Sequence, residues 1–210
     1  MGEEEYWQAV RSLRLGIADL LETLSPAEWD APSLCAGWRV RDVAGHLSLV
    51  PTITTWEMLV AAPRARFDPN RINTALAIRY GSRPPEAIVA RLREHAADRR
   101  TAKTLDTRNS LFDLVVHSQD IARPLNRDFP VPATYSHAGL DRVWAMGWPF
   151  HAKRDLGGLS LTATDTHWAT GTGPEITGPA MSLLLLSTGR ASAAMESLRG
   201  PGIGVLEERV

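Results

Sequence analysis

Cysteine is almost absent from this sequence. Cys35 stands alone, which excludes any internal disulfide and makes a reducing cytoplasm the expected compartment. Lysine is nearly as scarce, with only Lys103 and Lys153, so positive charge is carried almost entirely by arginine. No apolar stretch approaches the roughly 20 residues that a bilayer span needs; the longest, Met181 to Ser187, reads as core. The opening residues, MGEEEYW, are acidic where a signal peptide is basic, and Tyr6 stands where a myristoylation signal needs Ser or Thr. An excess of one charge is lacking too: 23 Lys and Arg oppose 24 Asp and Glu, with no basic run and no aromatic-basic stripe. Neither nucleic acid nor a membrane is therefore an expected partner. What is present, 44% hydrophobic and 22% charged residues over 210 positions, suits a globular protein with a sizeable core.

Helical periodicity dominates the first 150 or so residues. Val10, Leu13, Ile17, Leu20, Leu21 and Leu24 recur as one apolar face. Ser25 and Glu28 have the spacing of a capping box for a short turn, and Asp30 to Gly37 reads as a loop. A second helix is predicted from Trp38–Arg41 through Val50, with Pro51 kinking or ending it. Ala62 to Asn70 reads as a loop and Asn73 to Tyr80 as a short helix. Pro84 and Pro85 open a third long helix carrying Ile88, Leu92 and Ala96. A fourth is predicted over Asn109 to Leu125 and a fifth over Tyr135 to Trp148. The period then changes. Leu159, Leu161 and Ala163 alternate with polar residues, as in a strand. Trp168 to Ile176, with Gly171 and Gly173 at its middle, reads as a hairpin. Pro179 starts a helix to about Thr188, and Ile203 to Leu206 reads as a last short strand.

Few residues on this frame carry chemistry. Asp113 and His117 lie four apart on one helical face, a turn from each other, with Asp120 further along the same stripe of an otherwise apolar helix. A carboxylate and an imidazole so placed are either a solvated pair or two ligands of a divalent metal ion. His46, among small and apolar neighbours, is either a satisfied core histidine or a third ligand facing that pair from another helix. Cys35, in a loop with no histidine beside it, reads as a small buried residue. His137, His151 and His167 lack metal-type spacing, and the glycines of GTGPE are turn residues without a phosphate-loop context. Trp38, Trp144 and Trp148 are candidates to line a cavity.

Three blocks carry a wider likeness. Cys35-Ala-Gly-Trp-Arg-Val-Arg-Asp-Val-Ala-Gly-His46-Leu, Leu114-Val-Val-His117-Ser-Gln-Asp120-Ile-Ala-Arg-Pro-Leu, and the tail from Gly158 through Gly173-Pro-Glu-Ile-Thr-Gly-Pro-Ala to Arg190 resemble, in order, the mycothiol-dependent maleylpyruvate isomerase family. That resemblance implies a mainly α fold, a DinB-like up-down four-helix bundle followed by a small α+β C-terminal domain. The expected boundaries are 1–152 for the metal-binding bundle and 153–210 for the tail. It implies one divalent metal, usually zinc, held by His46, Asp113 and His117. Asp113 stands where the isomerases carry a glutamate, one methylene longer. Asp120 matches an acid that orients the metal shell. Arg190 matches an arginine of the tail that would pair with a substrate carboxylate or the thiol cosubstrate, and Trp38 would line the cofactor site.

The chemistry so implied is metal-dependent and thiol-based. Mycothiol, a low-molecular-weight thiol, would isomerise or conjugate a small electrophilic or carboxylate substrate in a cytoplasmic monomer or homodimer. The same ligands suit a thiol-independent metal hydrolase, and a non-catalytic small-molecule binding protein is a third reading.

Overall fold

The computed structural model describes residues 1–100 and 106–209. The chain divides into two units, Met1–Phe129 and Pro130–Val210. No helix among the described residues is long and apolar enough to cross a membrane.

The first unit is helical. α1 (Glu3–Glu22) begins with three glutamates in its first turn, where the helix dipole favours them, and buries Ala9, Val10, Leu13, Ile17, Ala18 and Leu21. Ser25 and Glu28 close the expected capping box on α2 (Pro26–Trp29). α3 (Val40–Leu49) starts where Asp42 Oδ2 accepts the Arg39 N–H, and it is buried almost along its whole length.

Between Pro51 and Gly81 the structure corrects the sequence reading. A helix, α4 (Thr55–Ala61), precedes the turn, and α5 spans Pro69–Gly81 rather than only 73–80. Residues 62–67 are turn, as expected, but the end of the stretch read as loop is a helix start. Asp68 Oδ1 accepts the N–H groups of Asn70 and Arg71, and Pro69 occupies the first helical position, where its missing N–H costs nothing. α6 (Pro85–Glu94) and α7 (Ser110–Ala122) complete the unit. α1 packs on α6 and α7, and α3 packs on the same two, so α1, α6, α3 and α7 close a four-helix ring with α5 laid on α3. The crossing of α3 and α5 is backbone on backbone: a Cβ on Gly45 would meet Gly81 N at 2.2 Å.

The second unit pairs α8 (Ala133–Ala145) with α10 (Ala180–Ser187) and adds short helices α9 (Ala152–Asp155), α11 (Ala191–Met195) and α12 (Gly202–Glu207). Its sheet has β1 (Ser160–Ala163) at the centre, β2 (Ala169–Gly171) antiparallel on one side and β3 (Glu175–Gly178) parallel on the other. The hairpin predicted over Trp168 to Ile176 therefore does not form; β2 and β3 are never neighbours. Gly171 and Gly173 instead let the chain cross the start of β1. Both have positive φ, and a Cβ on either would lie 2.2 Å from Leu159 O or 2.1 Å from Gly158 O. The strand predicted over Ile203 to Leu206 is also corrected, to helix α12. The neighbouring position on β3 is already filled by the Thr177–Arg199 bridge, and Gly202 and Leu206, one turn apart, are the buried side of α12.

Candidate metal centre

α7 is built to carry polar groups into a core. Every residue from Ser110 to Ala122 is buried except Asp113, which is half-buried. Its entrance is pinned to α1 by Tyr6, whose hydroxyl accepts the Leu111 N–H at 3.1 Å and donates to Thr107 O at 2.9 Å. Burial pushes the Tyr6 hydroxyl pKa up. On this helix Asp113, His117 and Asp120 fall on one stripe, as their spacing requires, and α3 brings His46 against them.

The contacts are short. His46 Nε2 lies 3.2 Å from Asp113 Oδ2, and His117 Nε2 lies 3.5 Å from Asp113 Oδ1. The ligand atoms of the three residues all fall within 4.8 Å of one another. Two ligand atoms each about 2.1 Å from a tetrahedral ion sit roughly 3.4 Å apart, and the two histidine–carboxylate separations bracket that spacing. The donor set of two imidazoles and one carboxylate, leaving a position open, is what a catalytic divalent metal takes. The residues present fit such an ion.

Asp120 sets the orientation of His117. It is fully buried, and its Oδ2 lies 2.7 Å from His117 Nδ1. A carboxylate accepts, so Nδ1 carries the proton and the lone pair of Nε2 is turned toward His46 and Asp113. Asp120 also anchors the loop above, its carbonyl accepting the Leu34 N–H at 3.2 Å. That loop delivers Trp38, which stacks on His117 at 6.1 Å and 11° and meets the His46 ring edge-on at 5.5 Å. The indole N–H donates to Thr74 Oγ1 of α5 at 3.3 Å, so α3, α5 and α7 are tied together over the cluster.

Of the residues singled out in the sequence, His46, Asp113, His117, Asp120 and Trp38 are brought together. Arg190 belongs to the second unit, between α10 and α11, where its NH1 donates to Thr188 O. Trp144 packs on Trp168 in that unit, and Trp148 is exposed. Cys35 is half-buried in the Trp38 loop. A cavity of about 560 Å³ in the second unit, lined by Thr134, His137 and residues 164–167, contains none of the cluster residues.

Sequence reasoning missed Arg14. It lies on the apolar face of α1 at 2% exposure, and its NH1 donates to the carbonyls of His95, Ala96 and Asp98 just past α6. Burial pulls its guanidinium pKa down to about 10. Arg14 and Asp113 line one small cavity of about 10 Å³, so a buried cation stands beside the cluster carboxylate. The signal was legible: position 14 falls within the apolar series 10, 13, 17 and 21.

Residues 10–109 match the mycothiol maleylpyruvate isomerase N-terminal domain family. The match covers just under half of the chain. The family match includes His46 and ends before Asp113, so the ligands on α7 rest on the geometry above. Two solved structures share the fold, that of the mycothiol-dependent maleylpyruvate isomerase and that of a histidine-to-alanine mutant of it. The TM-scores are 0.64 and 0.63, at 14% identity in both cases, over 96% of this chain and 93% of each of those. No curated protein sequence matches the chain.

Proposed function

We propose that this chain is a metal-dependent enzyme that uses a low-molecular-weight thiol of the mycothiol type to isomerise or conjugate a small electrophilic substrate. The observation that carries the reading is the convergence of His46, Asp113 and His117 from two helices, with His–carboxylate separations of 3.2 and 3.5 Å. The family of residues 10–109 and the fold likeness support the thiol part.

In this reading His46, Asp113 and His117 hold a divalent ion, with zinc the first candidate. When bound, the ion lowers the pKa of a thiol at its open position, and that thiol supplies the nucleophile for an electrophilic carbon. Asp120 keeps the proton on His117 Nδ1, so that Nε2 stays available as a ligand. Trp38 covers the two imidazoles, excluding water from one side and offering an aromatic wall to the thiol cosubstrate. Maleylpyruvate is one member of the substrate class; release of the thiol after rotation about the former double bond isomerises such a compound, and its retention conjugates it.

The test is turnover of a panel of small electrophiles by zinc-loaded protein, with and without mycothiol. The reading predicts turnover that needs both metal and thiol and is lost in His46→Ala. Turnover unchanged without any thiol makes the protein a hydrolase instead, and tight binding without turnover makes it a binding protein.

A further inference from the structure

The helices that build the cluster leave one face of the first unit without a role. α4 has no buried residue. Met58 and Ala61 lie partly against Leu49, Leu76 and Tyr80, while Trp56, Leu59 and Val60, at i, i+3 and i+4, form an exposed side. Five of the seven large hydrophobic side chains exposed among the described residues fall between Trp56 and Ile78, so the exposure is concentrated rather than scattered. Trp56 is 72% and Phe67 73% exposed. Phe67 is presented by an unusual turn: Arg66 and Phe67 take φ of 55° and 59° in succession, a left-handed region that such side chains rarely enter. The Phe67 N–H closes the turn on Ala62 O at 2.9 Å.

The charges of this segment are mostly positive. Arg64, Arg66, Arg71 and Arg79 are exposed. The two acids of the segment, Glu57 and Asp68, are half-buried, and their carboxylates cap α4 and α5, with Asp68 also 3.8 Å from Arg71. Residues 54–82 thus carry four arginines against two acids, in a chain whose total charge is −1.

We propose that α4 and the turn through Phe67 are a docking surface for an anionic lipid bilayer. Trp56, Leu59, Val60 and Phe67 enter the interfacial layer, and the arginines meet lipid phosphates. Exposed Trp, Phe and Leu flanked by arginine is the make-up of elements that lie in a membrane interface. A second copy of this chain bound face to face would oppose arginine to arginine. Nucleic acid would gain nothing from Leu59 and Val60. The sequence expectation of no membrane partner rested on net charge and on the absence of a spanning run, and neither reports a local face. The proposal uses no residue of the metal cluster and stands apart from the thiol reading.

The experiment is co-sedimentation of the full chain with vesicles of phosphatidylcholine alone and of phosphatidylcholine with phosphatidylglycerol, at low and high salt. The wild type is expected to pellet only with the anionic vesicles and to be released by salt. At about five-fold per arginine, Arg64→Gln with Arg66→Gln lowers the affinity roughly 25-fold, and Trp56→Ser with Phe67→Ser removes binding. Far-UV circular dichroism and metal content identical to wild type show that each variant is folded. Absence of wild-type binding to anionic vesicles, or binding that neither double variant weakens, overturns the proposal. A dimer by light scattering that Trp56→Ser dissolves, with no vesicle binding, also overturns it and assigns the face to a second copy.

Discussion

Asp120 decides how His117 presents itself, although it ligates nothing in this account. Asp120→Asn keeps the shape of the buried side chain but weakens the acceptor for Nδ1–H, and metal affinity is expected to fall about 10- to 100-fold with little change in helicity, as read by chelator competition. Asp113→Glu is expected to retain the metal, since it lengthens the one carboxylate ligand without changing its charge. The pair Asp113 and His117 was legible as i and i+4, and His46 by its apolar neighbours, but nothing in the sequence shows that α3 faces α7. Glu28 supplies a pH test at the same scale. Hydrogen bonds from the Ser25 N–H, Arg127 and the Ser25 hydroxyl hold its carboxyl pKa down to about 2, against an ordinary value of 4.5. A carboxylate so depressed contributes stability above pH 4.5 and loses it as pH falls toward 2. Glu28→Gln is therefore expected to be less stable than wild type at pH 7 and indistinguishable near pH 2, in urea titrations at each pH.

α3 holds His46 in place through its crossing with α5. Gly45 precedes the ligand, and its missing Cβ is what lets Gly81 approach: a methyl there would lie 2.2 Å from Gly81 N and 2.7 Å from Gly81 Cα. Because the obstacle is backbone, no rotamer change relieves it. Gly45→Ala is expected to cost about 1–3 kcal/mol in denaturant unfolding and to lower metal content by displacing His46. The same substitution at exposed Gly204, whose Cβ would meet nothing within 4 Å, is expected to do neither. Helix-period apolar lines and caps made α1 and α6 readable, because each buries one face, and the apolar spacing of α3 and α7 was readable although those helices are buried nearly all round. α12 was misread because a short apolar run has no period of its own. The supposed hairpin was misread because its glycines serve a crossing over β1, and a crossing has the same local composition as a turn.

In the whole molecule the fold does not depend on the metal. The four-helix ring has its own apolar core in α1, α3, α6 and α7, so stripping the metal is expected to lower the melting temperature by the binding linkage alone while leaving the far-UV helix signal intact. The change of period near Leu159 marks the start of the sheet, whereas the two units divide between Phe129 and Pro130. The period of α8 resembles that of the bundle helices, yet α8 packs on α10, a pairing that periodicity does not encode. The charge balance of the whole chain likewise hid the arginine-flanked face on α4. The central claim is that His46, Asp113 and His117 form one metal site. Elemental analysis of protein prepared without a histidine tag, beside His46→Ala and His117→Ala, tests it most directly. A single divalent ion per chain is expected in the wild type, lost in both variants while they remain folded. A wild type that holds no metal and takes up no zinc would contradict it.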